Sequence, residues 1–430
     1  MPATPAPGRS VEDLQRLLPG CLCGLEEMLA RCLAQVVPVA SKVYSLGEAD
    51  SFMSSDAGSL SDGRTLLMAA AAQGQLEVVE AYVAHGQTPG VPAIETCCDG
   101  GWTALTYAVV NGSAGAVQAL IKGGATVNGR DAEGRTALHH AAAAGGGRWD
   151  KMIGIKVKVV ELLLDAGADV NALCECDWSP LHGCCDADNS CAALLLIRAG
   201  ADVLIQNGDG NTPMHLVCEE NDCVHADDLL SIVCALGGDA NAVNHDGKTP
   251  LHLVCSSSFE NMLTLLEFYP KLNLSVQDND GNTPLHSVPD FYENDTYEWL
   301  LCHGADFNVR NKEGNTPLHI LAEDPDSVVY EDGHVSRGVL CMHELVKKGA
   351  DIDIKNNEGF TALDLAVQED NMTTIDLLRT EAERRAAVRN VAMAFAMGSH
   401  ARVGQGSLVK DVYPELMRVI MGQMGEVEWE

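Results

Sequence analysis

The sequence predicts an all-α solenoid of stacked helix-turn-helix units with β-hairpin loops, flanked by N- and C-terminal helices, and three observations carry that reading. A Thr or Ser followed by Ala or Pro (by Leu66 in the first copy) and then Leu or Met recurs at Thr65, Thr103, Thr136, Ser179, Thr212, Thr249, Thr283, Thr316 and Thr361. The intervals of 38, 33, 43, 33, 37, 34, 33 and 45 residues reduce to a period near 33 with insertions. Thr or Ser before Pro is how a helix start satisfies its free amides with a preset φ, so each anchor opens a helix. Gly just before the anchor, as at Gly134, Gly210, Gly247, Gly281, Gly314 and Gly359, supplies a backbone with positive φ and predicts a tight hairpin ahead of each helix.

Within each unit, two small or modest residues follow five and six positions after the anchor: Ala70/Ala71, Ala141/Ala142, Cys184/Cys185, Val217/Cys218 and Val254/Cys255. They let neighbouring helices approach closely. A second helix rich in Val and Leu follows, as in VKVVELLLDAGAD, and ends at a Gly such as Gly167, Gly200, Gly304 or Gly349. The clearest copies read DGNTPMHLVC, DGKTPLHLVC, DGNTPLHSV and EGNTPLHIL, from Asp209, Asp246, Asp280 and Glu313. This pattern resembles the ankyrin repeat, in nine copies over about Ser61 to Arg379. Two copies depart from it. Pro289 falls within the first helix of the seventh, and Tyr269-Pro270 replaces the terminal Gly of the sixth, so both are expected to be locally weaker. Insertions are expected at Gly145 to Lys158 and Glu323 to Arg337.

The expected organisation is a helical cap at 1–50, a Ser, Gly and Asp-rich linker at 51–61, the repeat domain at 62–379 and a helical tail at 380–430. Leu14, Leu18, Leu22, Leu25, Leu29, Leu33 and Val36 form a helical stripe, broken at Pro19-Gly20; it reads as a closing cap or as a partner-binding or self-associating pair. No Gly stops the last second helix, so one long helix is expected to about Met397. Its locally basic balance suits packing on an acidic body. Beyond it, Leu408, Val412 and Leu416 resemble the elongin-binding box of ankyrin proteins with a suppressor-of-cytokine-signalling box. The match is partial, since that family has Cys where Val412 stands and Pro414 interrupts the helix; PELMRVI also looks like the first helix of an F-box.

A net charge of −33, from 28 Lys and Arg against 61 Asp and Glu, disfavours phosphate backbones and anionic lipid as partners and favours basic proteins. Aromatic content of 5% argues against base-stacking platforms. No apolar run is long enough to span a bilayer, and the first nine residues have three prolines and no apolar core, so a cytoplasmic or nuclear address without a secretory signal is expected. The 16 cysteines then read as reduced, small apolar side chains.

The histidines His139, His182, His215, His252, His286 and His319 all stand three residues after an anchor. One position repeated six times reads as structure: a bond back to the anchor and on to the neighbouring hairpin, the usual role in the ankyrin family. The group Cys174, Cys176, Cys184, Cys185, Cys191 and His182 could suggest zinc, but several of these are already used for packing. No phosphate-binding loop, HExxH, GxSxG or dinucleotide motif is present, so no enzyme activity, cofactor or metal is expected.

The expected function is a non-enzymatic scaffold that takes a partner protein with a basic or extended segment on its concave face; the competing reading is a substrate-recruiting adaptor of a cullin-type ubiquitin ligase through the tail. Partner-binding candidates fall in two rows. Three residues before the anchors stand the hairpin tips, with Glu133, Asp209, Asp246, Asp280, Glu313 and Glu358, whose acidity suits either a negative ribbon or turn formation. Immediately before the anchors stand Arg64, Trp102, Arg135, Trp178, Asn211, Lys248, Asn282, Asn315 and Phe360, which in the ankyrin family point toward the groove. Exposed aromatics among them are the natural anchors for a partner. Asn128, Asn171, Asn241 and Asn308 resemble the asparaginyl-hydroxylation sites of ankyrin domains, although turn geometry accounts for them equally well.

Overall fold

A computed structural model describes residues 65–85, 94–143, 153–219, 226–257, 259–288, 296–323 and 336–396. The expected cap at 1–50, the linker, Arg64, the tail residues Leu408, Val412 and Leu416, and most of both insertions lie outside the described residues. The chain divides into two compact units, the first reaching Leu300 and the second beginning in the main at Leu301.

In the first unit the first helices of successive repeats are α1 (Leu66–Ala72), α3 (Ala104–Val110), α5 (Ala137–Ala142), α7 (Pro180–Asp186), α9 (Pro213–Glu219) and α11 (Pro250–Ser257). The second helices are α2 (Leu76–His85), α4 (Ala114–Lys122), α6 (Ile153–Asp165), α8 (Ser190–Arg198), α10 (Ala226–Ala235) and α12 (Phe259–Phe268). α13 (Thr296–Cys302) spans the division between the units. Each first helix packs on the first helix of the next repeat, and each second helix on the next second helix. Because α6 begins at Ile153, the third-copy insertion is shorter than expected: residues 153–158 lengthen the second helix.

The anchors behave as helix caps. Thr65 and Ser179 accept the amide of the residue three positions on, in boxes closed from the other side by Met68 and His182. The paired small positions are all at most 2% exposed, which is what lets helix meet helix there. On α10, Leu229, Leu230, Ile232 and Val233 are all but fully buried, each burial contributing about 1.5–3 kcal/mol. Cys184, Cys185, Cys218 and Cys255 belong to the same seam, and burial pushes all four thiols well up from the ordinary range; Cys234, on α10, is pushed up to about 12.

In the seventh copy the first helix shrinks to a single 3-10 turn, Pro284–His286. A proline at 289 has no amide to donate to the carbonyl four residues back, so an α-turn cannot propagate through it. In the sixth copy, where Tyr269-Pro270 replaces the terminal Gly, the Tyr269 hydroxyl donates to the Gly238 carbonyl of the preceding repeat at 2.5 Å.

The second unit contains α14 (Pro317–Glu323), α15 (Arg337–Lys348), α16 (Ala362–Gln368) and α17 (Met372–Ala396). α15 ends at Gly349 with φ of 101°, a left-handed C-terminal stop. α17 has no such stop and runs uninterrupted across the expected boundary at residues 379 and 380. Glu381 pairs with Arg384 and Arg385, and Arg385 also donates to the carbonyls of Ala350 at 2.8 Å and Val346 at 3.3 Å, neutralising the C-terminal end of α15.

The loops between repeats are tight turns and form no strands; the isolated bridge between Arg130 and Thr136 is the β-type pairing found among the described residues. No helix among the described residues is long and apolar enough to cross a membrane.

Candidate partner-binding surface at the turn tips

Six of the turns are built by an Asp or Asn five residues before the anchor, a position the sequence reading passed over; the second and fourth copies have Cys98 and Cys174 at that position. Asn244 shows the pattern. Its Oδ1 accepts the amides of Asp246 at 3.0 Å and Lys248 at 2.9 Å, while its own amide donates to the Lys248 carbonyl at 3.0 Å. Asp131, Asn207 and Asp278 do the same in the first unit, and Asn311 and Asn356 in the second. An acidic or amide residue recurring five positions before Thr was visible in the sequence and is the signal that would have found them.

The tips are then laddered through the backbone. The carbonyl of Asp246 accepts the Asn279 amide at 2.8 Å, that of Asp209 the His245 amide at 2.9 Å, and that of Glu133 the Glu175 amide at 3.0 Å. Gly210 and Gly247, with φ of 77° and 75°, sit beside these contacts; a Cβ on Gly210 would lie 2.8 Å from the His245 nitrogen. The fourth copy makes the same left-handed turn with Asp177, at φ of 58°.

The histidines tie one repeat to the next. In His215, Nδ1 accepts the Thr212 amide at 3.1 Å, so the ring proton lies on Nε2, which donates to the Lys248 carbonyl of the following repeat at 3.2 Å. His139, His182 and His252 reach Trp178, Asn211 and Asn282 in the same way, and in the second unit His319 reaches Phe360. Burial lowers the pKa of all five, His215 to about 4, holding the rings neutral as this bonding requires.

Because the capping side chain stands five positions before the anchor, the tip carboxylates do not accept the turn's backbone amides. Asp209, Asp246 and Asp280 are exposed in the first unit, and Glu313 and Glu358 in the second. Glu133 is exposed as well but pairs with Arg135 at 2.6 Å. Arg135 also touches Asp131 at 3.4 Å, and Asp131 accepts from His140 at 2.8 Å. Trp102 closes over this group, its ring edge-on to His140 and to Tyr107.

Trp102, Trp178, Lys248 and Asn282 are half-buried, as is Phe360 in the second unit. Two residues of this row are spent on the neighbouring turn. Asn211 Oδ1 accepts from Asn244 at 2.9 Å, and Asn315 accepts from Asn356 at 3.0 Å. Asn315 is only 5% exposed, so it does not face a groove as the sequence suggested: with Oδ1 accepting from Asn356 and Nδ2 donating to the Glu313 carboxylate, it is a strut between turns.

Asn128 and Asn171 clasp the following repeat, each donating to a helix-terminal Gly carbonyl and accepting the amide of Asp169 or Asp202. Asn308 accepts the Asp351 amide at 2.9 Å, and Asn241 is exposed. Among the described residues, no group of three or more His, Cys, Asp or Glu side chains is placed to hold a metal ion. In the cysteine-rich fourth copy, His182 has both ring nitrogens engaged, and Cys184, Cys185 and Cys191 are buried in packing.

Repeating helix pairs, laddered turns and a histidine tie at a fixed register define a repeat solenoid of the non-catalytic, protein-interaction class. The chain belongs to the ankyrin-repeat family: the family model described as Ankyrin repeats (3 copies) matches residues 40–131, 67–174, 181–267, 224–311 and 290–388. It is similar to the E3 ubiquitin-protein ligase KEG of Arabidopsis thaliana, 36% identical over 24% of this chain and 6% of that one. It is also similar to human Ankyrin repeat and SOCS box protein 16, 34% identical over 26% of this chain and 22% of that one. Human Protein phosphatase 1 regulatory subunit 27 is 34% identical over 20% of this chain and 48% of its own length. The chain thus spans less than half the length of each of these relatives. A solved structure, the human ASB11 ankyrin repeat domain, aligns with a TM-score of 0.46 and 22% identity over 56% of this chain and 99% of that one.

Proposed function

We propose that this protein is a non-enzymatic interaction scaffold whose first unit binds a partner protein through its turn tips, the partner presenting a basic, extended segment. The observation behind this reading is that the turn chemistry is carried by Asp131, Asn207, Asn244 and Asp278, while Asp209, Asp246 and Asp280 leave their carboxylates in solvent on one edge. Carboxylates at successive repeats, roughly 10 Å apart at the spacing of packed helices, match basic groups at every third residue of an extended chain, which rises about 3.3 Å per residue. Trp102 and Trp178 lie in the adjacent row and supply apolar anchors.

The test is a pull-down with mass spectrometry from native lysate, comparing the full chain with the triple variant Asp209→Asn, Asp246→Asn, Asp280→Asn at two salt concentrations. Partners that bind the native chain, weaken with salt and are lost from the variant support the reading. Partners retained equally by both proteins overturn it.

A second reading is favoured by the likeness to Ankyrin repeat and SOCS box protein 16: Leu408, Val412 and Leu416 recruit elongin-like subunits of a cullin ubiquitin ligase. Truncation after Val403 is then expected to remove those subunits and leave repeat-bound proteins in place. Their absence from the full-length pull-down would end that reading.

A further inference from the structure

Asn207 is 4% exposed, and its Oδ1 accepts the amides of Asp209 at 3.0 Å and Asn211 at 2.8 Å. Those two bonds fix which arm of the carboxamide is oxygen and leave Nδ2 as the other. That Nδ2 is buried without a hydrogen-bond partner. The equivalent group elsewhere is satisfied: Asn244 Nδ2 donates to Asn211 Oδ1 at 2.9 Å and, within the second unit, Asn356 Nδ2 donates to Asn315 Oδ1 at 3.0 Å. In both cases the acceptor is the side chain immediately before the preceding anchor. For Asn207 that register position is held by Trp178, whose indole carries a donor and no acceptor. A buried amide donor left over in this way calls for an acceptor from elsewhere.

The chemistry of that acceptor follows from the surroundings. Glu175 and Asp177, in the turn that ends at Trp178, are exposed, as is Asp209 in the next turn. A carboxylate would meet three like charges, whereas a neutral carboxamide oxygen would not. Trp178 is half-buried, with its ring 6.0 Å from that of His182, and it sets an aromatic face at the register position that Asn211 and Asn315 occupy in their repeats.

We infer that Trp178 and Asn207 together form a recognition point for the side chain of an Asn or Gln in a partner's extended basic segment, the carboxamide oxygen accepting from Asn207 Nδ2 while the chain lies against the indole. The point rests on the turn-tip reading proposed above and names the residue type that reading selects. The partner's carboxamide replaces the one that Asn211 and Asn315 supply to the turns of the repeats that follow them.

The experiment selects peptides from a random display library of about twelve residues against the full chain, then measures their binding to native protein and to Trp178→Asn and Trp178→Phe. Selected peptides are expected to share an Asn or Gln whose change to Glu weakens binding at least about tenfold. Trp178→Asn places a carboxamide where Asn211 and Asn315 have theirs; it is expected to lose binding by a similar factor while its Tm holds or rises. Trp178→Phe keeps an aromatic without an acceptor and is expected to retain binding. Selected peptides that bind Trp178→Asn as well as native protein overturn this inference and leave the turn-tip reading standing. A fall in Tm of more than about 5 °C in Trp178→Asn shows Trp178 to be a packing residue and overturns it too. If no peptide binds the native chain, both readings fall.

Discussion

Lowering the pH from 7.5 to 5.5 is expected to loosen the turn at Asn244–Lys248 through His215. The neutral ring accepts at Nδ1 from Thr212 and donates from Nε2 to Lys248; protonation converts Nδ1 to a donor facing another donor. The folded pKa of about 4, set chiefly by burial, lies below the unfolded value of about 6.5. The unfolded state therefore takes up the proton first, so this contribution is intact above pH 6.5, declines as pH falls, and levels off near 4. Two and a half pH units correspond to about 3 kcal/mol in full, and to about 1.4 kcal/mol, or tenfold in the opening equilibrium, at pH 5.5. Burial lowers His139, His182 and His252 in the same direction, so each adds to the loss of stability as the pH falls below the ordinary histidine range. Hydrogen exchange of peptides covering 244–252, corrected for intrinsic chemical exchange, measures the local opening directly. Native protein is expected to lose at least about tenfold protection between pH 7.5 and 5.5. His215→Gln, which cannot titrate, begins less protected at pH 7.5 and loses about tenfold less on acidification. Equal pH dependence in the two proteins would refute the assignment of a neutral, bridging His215.

Two further substitutions probe the turns. Gly210→Ala and Gly237→Ala both force a side chain onto a positive φ, but only Gly210 has neighbours within contact, with the His245 nitrogen at 2.8 Å. Gly237→Ala is expected to cost about 1 kcal/mol and Gly210→Ala clearly more, read as the shift in urea midpoint; equal costs would show that the tip ladder is not tightly packed. Asn244→Ala removes the acceptor for two turn amides and the donor to Asn211, with an expected loss of about 1–3 kcal/mol. Asn244→Asp keeps both turn bonds and is expected to lose less than half as much; matching losses, again by urea midpoint, would mean that the side-chain cap does not hold the turn.

The repeat, its helix starts and its breaks were legible in the sequence because each depends on residues close together along the chain. Thr-Pro opens a helix by local geometry, Pro289 stops one by lacking an amide, and the six aligned histidines betray a repeated structural role. The all-α class and the long terminal helix, now α17 at Met372–Ala396, follow from the same local rules. What the tertiary structure alone decided concerns partners one repeat, or some 30 residues, apart. The sequence shows Asn at 211, 244, 315 and 356 alike, but stacking alone reveals that Asn211 and Asn315 serve their neighbours, and that Asn315 is thereby withdrawn from the surface. Stacking likewise sets Trp178 in the position where those turns keep an amide, leaving Asn207 without an acceptor. Local chemistry determines which turns and helices form; only the register between repeats determines which of their polar groups are spent on the fold and which are left for a partner.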